Sequence, residues 1–432
     1  MRDLAFAFQR VLSQAAGSAR GKRHEPSPWF AERMALYFSA LFLVYGVHVS
    51  YFPVWLHSRG LGPEAIGLIT AVPIFIRTVL TPMIAARADM RGCHRDMIIA
   101  LSALCAVLAA LVSQVHGFWL IFALAVPFSI AVATIMPLTE TLAVAGVRSA
   151  GHDYGRMRLW GSAMFLVTTV ATGMMIDWDG PRAAIVVLIA ATMATAAAAL
   201  LLPKPVADKP EMATRIAKAK LDERGLVRAL LRRPLFAAFL FCVGAVLGSH
   251  ATFYTFGALH LKAQGISGAA FGALWTISIF AEMVLLAFSA PLVAKFGPVR
   301  LLMAGAAGAA VRWGAMSLDP SLFVVAGLQV LHALTYGATH VGAIHFIARA
   351  VPTKGAGTAQ ALYSAIGSGL ITGVATMVAG QAYPHLAGQT FLLMAALAGA
   401  GLAAAIWIEK TWDRKPIFDE AAEAVEAVEA QV

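Results

Sequence analysis

Few ionisable residues interrupt the long apolar stretches of this 432-residue chain, and their types are those that hold an anion or trade a proton. Charged side chains within apolar helices are costly unless paired or wetted, so each one is a functional candidate. Arg77 and Glu282 stand 205 residues apart, each near the middle of an apolar run. The guanidinium keeps its proton and needs an anion in every conformation, whereas a lone carboxylate can carry a proton. As a facing couple they read either as a static pair or as one that protonates and separates. A static buried pair is often neutral for stability, which favours the second reading. Glu140 and Arg158 form a second couple, readable as substrate contacts or as an ion pair near the interface, where Arg158 can snorkel. His332, His340 and His345 share one apolar run, with His345 again 205 residues from Glu140. His340 and His345 lie roughly 140° apart around a helix, unsuited to one metal, which wants i, i+4 spacing. One of the three reads as a proton-relay partner of Glu282, against a histidine hydrogen-bonded within a bundle, and the same caution applies to His48 and His250 in two other spans. Tyr45, Trp160, Trp275, Tyr336 and Tyr363 offer either stacking surfaces for a ring-bearing solute or ordinary packing.

These residues need elements that hold them at depth. With 59% hydrophobic and 13% charged residues, the composition excludes a soluble surface around a core. A spanning helix takes about 20 mostly apolar residues. Twelve such stretches fit: 30–52, 64–86, 97–115, 118–146, 157–177, 183–202, 234–258, 268–293, 299–316, 320–347, 358–382 and 388–408. Their continuous apolar character excludes a porin-like barrel, whose strands alternate. Of the 33 Lys and Arg, 26 fall on the termini and even-numbered loops. Three (Arg59, Arg182, Lys262) fall on the opposite side, and Arg33, Arg77, Arg158 and Arg312 lie within or at the edge of spans. The basic loops face the cytoplasm, so both termini are expected there, in a bacterial-type inner membrane. The net charge of +10 is thereby a matter of topology, and no nucleic acid partner is implied.

The apolar spans divide at a basic linker, 203–233. The expected organisation is a basic N-terminal segment (1–28), a six-helix bundle (29–202), the linker, a second six-helix bundle (234–408) and an acidic tail (409–432). Leu4, Phe8, Val11 and Leu12 share one helical face, suggesting a helix lying on the membrane surface. Shifting the second half by 205 residues superposes Gly60 on Gly265, Gly67 on Gly272, Phe75 on Phe280 and Gly92 on Gly297. Parallel repeats of this kind place a solute site between two bundles near mid-membrane, as in secondary transporters.

The segment from Ala85 to Arg95, containing Asp89, Gly92 and Arg95, and its echo from Ala290 to Arg300 resemble the cytoplasmic loop signature of the major facilitator superfamily. The sequence departs from that signature at Ala85, Met90 and Ala294, where a glycine, a basic residue and an acid are usual. The stretches from Gly46 to Leu56, Pro137 to Ala143 and Asp153 to Ser162 resemble the branch of the phenylpropionate permeases and, more distantly, the oligosaccharide:proton symporters. The resemblance implies an all-α membrane protein of twelve helices in two pseudo-symmetric bundles. It also implies that the acid late in the fourth helix and the arginine early in the fifth, Glu140 and Arg158, contact polar substrate groups. Asp89, Gly92 and Arg95 would form a conformational latch, with Asp89 accepting hydrogen bonds from a neighbouring helix N-terminus while the cytoplasmic side is closed.

The expected function is proton-coupled import of a small organic solute such as an aromatic carboxylate. The candidate substrate residues are Arg77, Glu140, Arg158, Trp160, Trp275, Tyr336 and Tyr363, and the candidate proton-coupling residues are Glu282, His340 and His345. Drug or metabolite efflux by proton antiport, and sugar or nucleoside symport, are the alternatives. No nucleotide-binding loop of the form Gly-x-x-x-x-Gly-Lys-Ser/Thr occurs, so an ion or solute gradient must supply the energy. An enzyme would need a clustered nucleophile or metal constellation, and three cysteines (Cys93, Cys105, Cys242) supply neither a disulfide framework nor a zinc site alone. A sensor would need a signalling domain larger than the linker. No cofactor is implied, the partners are solute, protons and lipid, and a monomer is expected.

Overall fold

The computed structural model describes residues 29–150, 153–203, 225–352 and 355–417. The expected surface helix near the N-terminus, most of the linker and most of the acidic tail lie outside them. Ten helical stretches are long and apolar enough to cross a membrane, and an eleventh is the pair Ser289–Phe296 and Pro298–Met316, bent by 106°. One of the ten, Ala356–Thr411, has 56 residues, far beyond the ~20 one crossing needs. It breaks at Ala387, where φ is +45°, and so has the length of two crossings, which brings the described residues to as many as twelve.

The N-terminal bundle contains α1 (Phe30–Ser58), α2 (Pro63–Arg91), α3 (His94–Gln114), α4 (Phe118–Ala150), α5 (Tyr154–Asp179) and α6 (Arg182–Leu200). The second contains α7 (Pro234–Ala263), α8 (Gly268–Ala287), α9 (Pro298–Met316), α10 (Leu322–Ala350), α11 (Ala356 to Leu386) and α12 (Thr390–Thr411). The expected eighth span ran on to residue 293. The observed helix stops at Ala287, because Pro291 lacks an N–H and its ring excludes the carbonyl four residues earlier. Helix starts carry local signals: the Asp153 side chain accepts from the Arg156 N–H and Ser267 from the Ala270 N–H.

The 205-residue repeat is visible in the backbone. Gly60 and Gly265 have φ of +80° and +82°, and Gly92 and Gly297 have +60° and +77°, conformations that a Cβ disfavours. Arg95, opening α3, donates from Nε to the Leu202 carbonyl at 2.8 Å and from Nη2 to that of Leu200 at 3.0 Å. Its repeat mate Arg300 opens α9 and reaches Glu409 Oε1 of α12 at 3.0 Å. Each arginine thus ties the third helix of a bundle to the sixth.

The face bearing the even-numbered loops is here the basic face, and the opposite one the far face. The bundles meet toward the far face, α2 against α11, α5 against α8 and α1 against α7. One apolar cluster runs through these contacts from Phe38 and Tyr51 to Phe253 and Trp313. Toward the basic face the second bundle keeps a separate cluster around Phe239, Phe346 and Trp412.

Candidate functional site

Between the bundles lies a cavity of about 860 Å³, walled by Tyr45, Arg77, Thr81, Met136, Tyr336 and Ser368 among others. Val227, Pro137 and Gly357 line it toward the basic face, where it opens. Two π-helical turns shape its wall, Ala333–Ala338 in α10 and Tyr363–Ile371 in α11. Such turns insert an extra residue per turn and recur at functional sites. The first aligns His332, Tyr336 and His340 as a stacked ladder, with ring centroids 5.4 Å and 6.4 Å apart.

Arg77 sits midway along α2 and lines this cavity and a smaller one beyond it. Among the described residues it has no hydrogen-bond or ion-pair partner. The expected Arg77–Glu282 couple is therefore absent in this conformation. The reason is pseudo-symmetry: α2 packs on α11 while α8 packs on α5, so equivalent positions on α2 and α8 occupy different corners of the cavity.

Glu282 instead faces His332, with Oε2 3.4 Å from Nε2. The proton on this imidazole can be located by following the donors. Arg312, buried in α9, donates to His332 Nδ1 at 3.2 Å, and a guanidinium can only donate. Nδ1 is thus the acceptor, and Nε2 carries the proton that points at Glu282. Arg312 also donates to Thr335 Oγ1 at 3.3 Å and to Gln329 Oε1, while its plane lies 4.5 Å from the centroid of Trp313. His250 Nδ1 lies 3.0 Å from the Val246 carbonyl and Nε2 3.0 Å from Thr335 Oγ1. The carbonyl fixes Nδ1 as donor, so Thr335 donates to Nε2. The result is a directed chain of hydrogen bonds buried in one bundle, with Glu282 beside its His332 end and packed near Gly337, next to the cavity-wall residue Tyr336. The fields of His340 and Arg158 also reach Glu282.

Other expected residues are placed differently. Glu140 and Arg158 form no ion pair: Tyr154 donates to Glu140 Oε1 at 3.3 Å, and the Arg158 guanidinium lies 4.0 Å from the Phe42 ring centroid. Tyr154, near the start of α5, separates them. Trp160 is 60% exposed and turns to the outer surface, away from the cavity. Trp275 packs against Tyr254 at 5.3 Å and Phe165 at 5.8 Å, holding α8 on α7 and α5. Tyr363 spends its hydroxyl on His340 Nδ1 at 3.0 Å. His345 makes no hydrogen bond among the described residues, because it lies nearer the basic end of α10 than the ladder. Asp89 meets His94 Nε2 at 2.8 Å within its own loop rather than a helix N-terminus. Gly92 and Arg95 act within the first bundle, which leaves the expected latch disengaged in this basic-face-open state.

Sequence reading counted Arg312 within a span without giving it a role, and of the three histidines it offered as partners of Glu282 it chose His340 and His345 over His332, the one that makes the contact. It missed the far-face closure. There Asp177 accepts from the Gly268 and Ala269 N–H groups at 2.7 Å and 2.9 Å, capping α8 from the other bundle. The Tyr51 hydroxyl is shared between the Thr169 and Gly268 carbonyls at 2.8 Å and 2.9 Å, one from each half.

Two pseudo-symmetric helix bundles around a charged cavity open to one face define a transporter of the major facilitator architecture, not an enzyme. The model of the MFS_1 like family matches residues 33–394, and the chain belongs to that family. It is 30% identical over 84% of its length to the Probable 3-phenylpropionic acid transporter of Escherichia coli (strain K12), covering 94% of that protein. It is 28% identical over 80% of its length to the maltose permease of Geobacillus stearothermophilus, covering 86% of it. Among solved structures, that of a point variant of the nucleoside transporter NupG matches with a TM-score of 0.77 at 14% identity, over 89% of this chain and all of that one. This last likeness concerns the fold alone.

Proposed function

We propose that the protein imports a small organic anion by proton symport across a bacterial-type inner membrane, acting as a monomer with both termini in the cytoplasm. The basic face is then cytoplasmic, and the conformation described is inward-facing. The observation that carries the reading is Arg77, a cation at mid-depth in a solute-sized cavity without an anionic partner among the described residues. A solute carboxylate is the partner that completes it, through a bidentate fork. The relative named for 3-phenylpropionic acid supports an aromatic carboxylate as cargo.

Glu282 is the proposed proton carrier. It borders the cavity-wall turn of Tyr336 and Gly337 at one side and the His332–Arg312 chain at the other, so protonation alters its hold on a bonded network in the second bundle. Arg77 belongs to the first bundle, so solute and proton are bound by opposite halves and each can bias the same rocking motion. His340 stands one rung further along the ladder as a relay candidate. The test is transport in proteoliposomes with an imposed pH step. Unmodified protein should accumulate the acid against its gradient when the outside is acidic. Glu282→Gln should exchange solute across the membrane without accumulating it, and uphill accumulation by that variant would remove Glu282 from the mechanism. Solute movement against the proton flux would replace symport by efflux antiport.

A second reading, a neutral sugar or nucleoside as cargo, is favoured by the hydroxyl groups of Thr78, Thr81, Thr358, Ser364 and Ser368 around the cavity and by the maltose permease relative. A binding screen of phenylpropanoid acids, sugars and nucleosides on purified protein separates the two.

A further inference from the structure

On the far-face side of Arg77 lies a second, smaller chamber of about 180 Å³. Arg77 and Tyr45 wall both this chamber and the main cavity, so the guanidinium stands at the boundary between them. Toward the far face α2 and α11 close on each other, Gly67 packing directly on Gly380. An apolar cavity of about 150 Å³ holds one benzene molecule, so this volume suits one six-membered ring with a small substituent and is too small for a fused bicycle.

Its walls are chemically specific. Phe52 and Tyr254 offer aromatic surface, and Tyr254 is held in place by stacking on Trp275. His48 Nε2 bonds Ser129 Oγ at 3.1 Å, while its Nδ1 has no hydrogen-bond partner among the described residues. The Tyr254 hydroxyl likewise has none. An unsubstituted ring filling the chamber would remove both groups from water and leave them unpaired, at a cost in affinity. A ring hydroxyl can pair with either of them, accepting from or donating to the group it meets.

We propose that this chamber is a subsite for a single hydroxylated aromatic ring, read by Tyr254 and His48, with a short chain returning the carboxylate to Arg77. The assignment rests on the carboxylate reading of Arg77 and adds where the ring lies and which substituent is selected. It makes Tyr254 and His48 specificity-determining residues.

The test uses purified full-length protein and calorimetric or competition affinities for phenylpropanoate, its ring-hydroxylated form and naphthylpropanoate, each alongside the matching primary alcohol. The hydroxylated ring should bind about tenfold tighter than phenyl, and naphthyl about tenfold weaker. Tyr254→Phe should bring the hydroxylated acid to the affinity of the phenyl acid, and His48→Gln should weaken the hydroxylated acid more than the phenyl acid. Equal affinity for the phenyl and hydroxyphenyl rings, or a full hydroxyl preference in Tyr254→Phe, overturns the subsite. Failure of the Arg77 reading has a different signature, equal affinity of acids and alcohols with the ring preference intact in both series.

Discussion

Arg77 and Arg312 are the same side chain in the same bilayer, and the fold treats them in opposite ways. Arg312 is enclosed by Gln329, His332, Thr335 and the Trp313 ring. Arg77 is left to the cavity. Arg77→Lys keeps the charge and loses the planar fork, so it should weaken a carboxylate relative to its amide analogue by on the order of 1 kcal/mol. Equal losses for acid and amide, measured by calorimetry, would make Arg77 a structural residue and point to a neutral cargo. Arg312→Met should do the reverse: it orphans His332 Nδ1 and lowers unfolding stability by about 1–3 kcal/mol, with the acid-to-amide ratio unchanged. Arg77, Glu282 and the histidines were legible in the sequence because ionisable groups stand out in apolar spans. Their pairing was not, because it depends on which helix corners meet and on a π-turn that shifts the phase of α10 between His332 and His340. A single-period helix argument has no access to either.

At the scale of the helices, the far-face closure rests on backbone proximity. A Cβ built on Gly272 would lie 2.6 Å from the Thr169 carbonyl oxygen, and one on Gly67 2.7 Å from the Gly380 Cα; both obstacles are backbone and cannot rotate away. Gly272→Val should therefore hold α5 and α8 apart and shift the population toward the far-face-open state. The readout is faster labelling of cysteines placed near Tyr51, and unchanged labelling would show that the closure tolerates separation. Asp177→Asn removes an anion from the α8 N-terminus, where an exposed charge contributes about 0.3–1 kcal/mol. It should shift the same equilibrium in the same direction by no more than about fivefold. The repeat made Gly67 and Gly272 conspicuous in the sequence as matched positions. Their partners Gly380 and Thr169 were hidden, because a contact between halves leaves no periodic trace along the chain.

For the whole molecule, the two bundles, their parallel repeat and the twelve crossings follow from hydropathy and the 205-residue offset, both properties of one chain read linearly. The conformation does not, since a transporter sequence must encode two arrangements of nearly equal free energy. The arrangement described, open at the basic face, keeps one apolar cluster continuous across the far-face contacts and another confined to the basic end of the second bundle. Opening at the far face must split the first cluster about Tyr51 and Asp177 and bring α4 and α5 onto α10 and α11 at the basic face. The bonds that stiffen each bundle, Arg95 to the end of α6 and Arg300 to the end of α12, do not cross the divide, so the halves should move as near-rigid bodies. Spin labels at Asp179 and Lys262 should accordingly separate in the far-face-open state, while labels at Arg156 and Arg349 approach one another. With symport, an organic acid and a low external pH should together populate that exchange more than either alone, because solute and proton bind opposite halves. Distances that change at one face only would replace the rocking of two rigid bundles with local gating by α7, whose helix breaks at Ser249 and His250.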